Sequence, residues 1–133
     1  MDVGSEIMPE LIKDLENSLY HYKAYVFEVT DGDTFKVDWD LGRRTTADEI
    51  IRFSRINAIE LKDDGGEAAK KFTAERVENK TVILKTELDK RGKTKYGGFD
   101  RFLAEVYYQT EEGWVNLNDE LLEAGLAVIY KRK

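Results

Sequence analysis

Apolar and polar residues alternate along most of the chain. Tyr25-Val26-Phe27-Glu28-Val29 and Phe35-Lys36-Val37-Asp38-Trp39 are two such runs, separated by Asp31-Gly32-Asp33-Thr34. A period of two marks half-buried strands. Asp-Gly between them predicts a tight hairpin in which Gly32 supplies a positive φ. Further runs rich in Val, Ile, Phe and Tyr fall at 49–56, 80–88 and 102–109, with short pieces near 113–115 and 127–130, while the first two extend over 22–30 and 33–40.

Three segments carry a helical period instead. Residues 8–19 place Leu11, Ile12, Leu15 and Leu19 on one face, with Pro9 in the first turn. That apolar stripe requires cover from the domain or from a protein partner. Residues 66–77 place Ala68, Phe72 and Val77 on or near one face. A last helix over 117–124 starts after Asn116 or Asn118 as N-cap and stops at Gly125. Residues 1–6 show no period and read as disordered. The pattern therefore predicts a small β-rich α+β protein, with residues 1–20 as an extension and 21–133 as one domain.

Composition narrows the class. At 133 residues, 41% hydrophobic and 36% charged, the chain suits one soluble globular domain with its own core. No apolar run approaches a membrane span, and no basic-then-apolar leader is visible, so a membrane role is not expected and the cytoplasm is favoured. Cysteine is absent, which excludes disulfides and thiolate metal sites. The single His, His21, counts against a His-based metal site or a His general base.

The net charge of −6 opposes binding of a polyanion, yet its distribution is uneven. Lys90, Arg91, Lys93, Lys95 and Arg101 lie close together, Lys131, Arg132 and Lys133 end the chain, and Arg43 and Arg44 form a loop. Each group reads either as a solvated loop or tail, or as a positive rim that steers a polyanion in a salt-sensitive way.

Candidate chemistry begins at the first hairpin. Asp33, at a strand start beside exposed backbone, is either a turn-stabilising residue or half of a metal site; Asp31 is read as shaping the turn. Downstream come Arg52-Phe53-Ser54-Arg55-Ile56-Asn57-Ala58-Ile59-Glu60, Gly66-Glu67-Ala68-Ala69, Lys95-Tyr96-Gly97, Arg101-Phe102-Leu103-Ala104 and Gly125-Leu126-Ala127. In order and spacing this set resembles the staphylococcal nuclease family, over roughly Tyr22 to Tyr130.

The resemblance implies a five-stranded OB-type barrel with about three helices, including the N-terminal one. It implies a calcium-dependent phosphodiesterase that cleaves DNA or RNA with low sequence specificity, with manganese or magnesium as other candidate ions. Carried over residue by residue, Asp33 becomes the first metal carboxylate, Asn57 takes the second ligand position and Ala58 supplies a backbone carbonyl. Arg52 and Arg101 become the arginines that grip the scissile phosphate, and Glu60 the general base. Lys95 and Tyr96 match residues that hold a terminal phosphate, and Tyr130 one that stacks near the nucleotide. The residue types suit these roles. Calcium takes oxygen ligands, a guanidinium fork matches two phosphate oxygens, and a carboxylate can accept a proton from water.

Three departures stand out. Asn57 replaces a carboxylate and removes a charge from the ligand set. The arginine loop, Tyr96-Gly97-Gly98-Phe99-Asp100-Arg101, is longer than the family's Tyr-Gly-Arg. Ile59 occupies the position before Glu60 that is usually Pro. They leave a second reading open: a non-catalytic OB-type module that binds nucleic acid or a protein partner. A third is an adaptor that acts through the 8–19 helix. Arg52 and Glu60 also admit a bland reading as an exposed salt bridge, and Arg55 competes with Arg52 for register. A monomer is expected.

Overall fold

The computed structural model describes residues 15–87 and 101–130. Residues 15–17 are helical and lead through a turn into strand β1 (His21–Asp31). There follow β2 (Thr34–Gly42), β3 (Thr45–Phe53), β4 (Ile56–Ala58), helix α1 (Gly66–Val77), β5 (Thr81–Thr86), β6 (Arg101–Thr110), β7 (Gly113–Asn116), helix α2 (Leu117–Glu123) and β8 (Ala127–Ile129). The start of the expected N-terminal helix, the basic residues Lys90, Arg91, Lys93 and Lys95, Tyr96 of the arginine loop, and Lys131, Arg132 and Lys133 lie outside the described residues.

Strand pairing closes a ring. β1 pairs antiparallel with β2 and β5, β2 with β3, and β5 with β6; a parallel β3–β6 pairing completes the circuit. This is a closed five-stranded OB-type barrel in an α+β fold, with no free edge between the five strands. β7 continues the sheet beyond β6, and β4 pairs with β8 in a separate two-stranded ribbon. The alternation seen in sequence fills the interior: Val26, Phe35, Val37, Ile51, Phe53, Leu84 and Val106 are each at most 1% exposed. Full burial of such a side chain contributes about 1.5–3 kcal/mol. Phe35 and Phe53 meet edge-to-face at 5.1 Å, and Trp39 is wedged between Tyr22 and Phe102.

Several local expectations change. Gly32 does not take a left-handed φ; the left-handed residues of the first two hairpins are Gly42, Arg43 and Arg44, between β2 and β3. Gly32 is required by close approach instead. A Cβ there would lie 2.8 Å from the Ala69 Cβ and 2.9 Å from the Ala58 Cβ. The third strand starts at Thr45 rather than 49, and the 49–56 run is broken at Ser54-Arg55, where Arg55 has φ 67°. Helix α1 has the expected span, but it buries Gly66, Ala69, Thr73 and Val77, and Ala68 is exposed. The hairpin sets this face, since the Thr73 hydroxyl donates to the Gly32 carbonyl at 2.7 Å. Asn116 is the N-cap of α2, accepting from the Asp119 N–H, whereas Asn118 is fully buried. Leu15 and Leu19 are 67% and 55% exposed, so the described end of the N-terminal stripe is not covered. Among the described residues no helix is long and apolar enough to cross a membrane.

Candidate functional site

Five separate stretches of chain converge on one cleft of about 600 Å³. The β1–β2 turn brings Asp31, Asp33 and Thr34. The end of β3 brings Arg52, and β4 with the residues after it brings Asn57, Ala58, Ile59, Glu60, Leu61 and Lys62. Arg101 comes from the start of β6 and Tyr130 from beyond β8. Strand register explains the meeting. Thr34 is the β2 partner of Arg52. On the other side of β3, Ile50 pairs with Arg101 and Arg52 with Leu103, so the two arginines stand diagonally on one face of adjacent parallel strands. Helix α1 supports the rim from behind. A Cβ on Gly66 would lie 2.0 Å from the Glu60 carbonyl oxygen, so only glycine lets the helix start so close to the Glu60 backbone.

Asp33 is the hub. Its Oδ2 accepts from the Ala58 N–H at 2.7 Å and pairs with Arg52 Nη1 at 2.6 Å. Its Oδ1 accepts from the Thr34 hydroxyl, and its own N–H donates to Asp31 Oδ1 at 3.1 Å, which makes Asp31 the turn-shaping residue expected. Burial raises the Asp33 carboxyl from 3.8 to about 6; the Asp31 carboxylate adds to the rise, while Arg52 and the Ala58 N–H oppose it. Arg52 is 7% exposed, and its Nη2 donates to Asn57 Oδ1 in a short hydrogen bond. One guanidinium thus bridges Asp33 and Asn57. Glu60 is exposed at the rim, and its carboxylate lies 3.3 Å from Lys62 Nζ.

The sequence-derived residues therefore come together, with two exceptions outside the described residues. Asp33, Arg52, Asn57, Ala58, Glu60, Arg101 and Tyr130 line the same cleft. Lys95 and Tyr96 are not among the described residues. Arg52 and Glu60 do not form the exposed salt bridge of the bland reading: Arg52 is buried against Asp33, and Glu60 faces Lys62. Arg55 points elsewhere, to Glu105 and Asp119, and of the two arginines it is Arg52 that lines the cleft. The sequence points to Arg55 only as a rival of Arg52 and not to Lys62, whose only signal is its place two residues after Glu60.

The donor set is chemically suited to a hard cation. The Asp33 carboxylate, the Asn57 amide oxygen and the Ala58 carbonyl are all oxygen ligands of the kind calcium takes. Burial keeps the Asp33 carboxyl raised although Arg52 touches it. The fit is a weak one. Asn57 brings no charge, and among the described residues no three His, Cys, Asp or Glu side chains are grouped to hold a metal.

A barrel of this topology with two arginines and carboxylates in one cleft defines a staphylococcal nuclease-like domain. Residues 50–133 match the staphylococcal nuclease homologue family, and the chain belongs to that family. It is also similar to an uncharacterized protein of Methanocaldococcus jannaschii, 29% identical over an alignment 127 positions long, which covers 83% of this chain and 60% of that protein. The chain thus spans about three-fifths of the length of that relative.

Proposed function

We propose that this cleft is the active site of a calcium-dependent phosphodiesterase that cleaves DNA or RNA without strong sequence preference. The reading assigns residues 21–133 to the catalytic domain and 1–20 to an extension. The observation that carries it is the convergence of Arg52, Arg101, Glu60 and Asp33 from separate strands and loops on one cleft.

Asp33, Asn57 Oδ1 and the Ala58 carbonyl would hold the ion. The chemistry available from calcium there is charge neutralisation at the phosphate and a lowered pKa of bound water. Arg52 and Arg101 stabilise negative charge as it builds on the phosphate oxygens. Their location on paired strands pre-sets that geometry before substrate arrives. The buried Asp33 fixes the Arg52 guanidinium at one end. Glu60, exposed at the rim and beside Lys62, accepts the proton of the attacking water. Tyr130, 41% exposed and lining the cleft, is the aromatic residue that would stack on a base.

The test compares cleavage of single-stranded DNA, double-stranded DNA and RNA at mildly alkaline pH, with calcium, manganese, magnesium or EDTA. Glu60→Ser and Arg52→Lys are the controls. Metal-dependent cleavage that both variants lose supports the reading. A folded protein that binds an oligonucleotide but leaves it intact with every ion supports the second reading, a non-catalytic nucleic-acid-binding module. That reading draws on the engagement of Asn57 by Arg52.

A further inference from the structure

Arg55 is an arginine in left-handed backbone, φ 67°, at the turn between β3 and β4. Such a conformation is costly for a residue with a Cβ and persists only where the surroundings over-determine it. Here they do. Arg55 Nε donates to Glu105 Oε2 at 2.8 Å and Nη2 to Glu105 Oε1 at 2.6 Å, a two-point fork. Nη2 also donates to Asp119 Oδ1 at 2.7 Å. Glu105 belongs to β6 and accepts a further hydrogen bond from Asn116, while Asp119 lies in the first turn of α2. The fork therefore fastens the turn to two elements of the scaffold.

What the turn carries is the site itself. Arg52 lies three residues before Arg55, and Asn57 and Ala58 lie two and three residues after it. The Arg55 carbonyl accepts from the Tyr130 N–H at 2.7 Å, which extends the β4–β8 ribbon to the edge of the cleft. From these contacts we infer that Arg55, with Glu105 and Asp119, is a positioning device for the cleft. It sets Arg52 relative to Asn57, Ala58 and Tyr130 from outside, without touching substrate. This rests on the phosphodiesterase reading only for its effect on turnover; its effect on cleft geometry does not need it.

The experiment uses the full chain with Arg55→Gly, which keeps the left-handed turn and removes the fork, and Arg55→Lys, which keeps a charge without the two-point fork. Hydrogen exchange is followed at the Ala58 and Tyr130 amides, and at Val37 and Leu84 as core references. The expected result for Arg55→Gly is exchange about tenfold faster or more at Ala58 and Tyr130, with Val37 and Leu84 unchanged. Arg55→Lys is expected to lie between parent and Arg55→Gly. In a cleavage assay, kcat falls about tenfold while KM stays within about threefold, because misplaced groups lose the transition state more than the ground state. Ala58 and Tyr130 exchange that is unchanged, or that rises in step with the core, would overturn the inference. A parent protein that cleaves nothing would instead overturn the phosphodiesterase reading, and the exchange result would still decide the role of Arg55.

Discussion

Arg52 Nη1 lies 2.6 Å from Asp33 Oδ2, and each of these side chains is only 9% exposed. An ion pair so deeply placed adds little net stability over an apolar pair, because both charges were taken out of water to make it. Removing one partner is another matter, since the other is left buried and uncompensated. Arg52→Ala is therefore expected to cost about 3–5 kcal/mol of stability, and adding Asp33→Asn is expected to recover part of that loss. Urea unfolding of the two single variants and the double variant measures the coupling. Strictly additive losses would argue against the pairing.

The raised Asp33 carboxyl gives the protein a pH dependence of known sign. Between its ordinary value of 3.8 and its folded value of about 6, the folded protein keeps a proton that the unfolded chain releases. Stability from this group is therefore greatest below about pH 4 and is lost as the pH rises through about 6. Relative to Asp33→Asn, the parent should gain at most about 3 kcal/mol on going from pH 7 to pH 4. Unfolding curves of both proteins at intervals of one pH unit test this, and a constant difference between them would contradict it.

Asn57 sets the strength of the proposed metal site. Its amide oxygen accepts from Arg52, and it adds no charge to the ligands. Asn57→Asp restores a carboxylate and is expected to tighten calcium binding by roughly tenfold or more, because affinity follows ligand charge. Titration calorimetry with calcium reads the change directly. Unchanged affinity would show that Asn57 is no part of a metal site.

Gly32 joins the first hairpin to helix α1 and to the cleft. A Cβ at this position meets the Cβ atoms of Ala69 and Ala58 below 3.0 Å, and neither alanine has a flexible end that could yield. Gly32→Ala should therefore destabilise by about 1–3 kcal/mol through overpacking. It should also disturb Asp33 and Ala58, which flank the contact. Thermal unfolding gives the first effect, and the chemical shift of the Ala58 amide the second.

The barrel strands were legible because their inward residues alternate over long stretches, as in Phe35, Val37 and Trp39. The helix over 66–77 was found for its length, but its buried face was not. Ala69 and Thr73 are small or polar, and only their contact with Gly32 selects them. The turn at Ser54-Arg55 was hidden because its left-handed residue is an arginine inside a β-branched and aromatic run, and what holds it, the fork to Glu105 and Asp119, lies 50 and 64 residues away in sequence. Asp33 stands out from the hairpin itself, whereas Arg52 and Glu60 stand out only through the family pattern. Their roles as hub, bridge and rim depend on strand register and burial, which no local motif encodes.

The role proposed for Glu60 is to act on a phosphodiester held by Arg52 and Arg101. It is tested most directly by single-turnover cleavage of a short single-stranded oligonucleotide in calcium, by the parent and by Glu60→Gln, with the Kd of each measured separately. The expected result is a rate loss of roughly 100-fold or more in the variant, since general-base catalysis typically contributes that much, with Kd within about threefold. Equal rates for the two proteins, or no cleavage by a folded, oligonucleotide-binding parent, would contradict it.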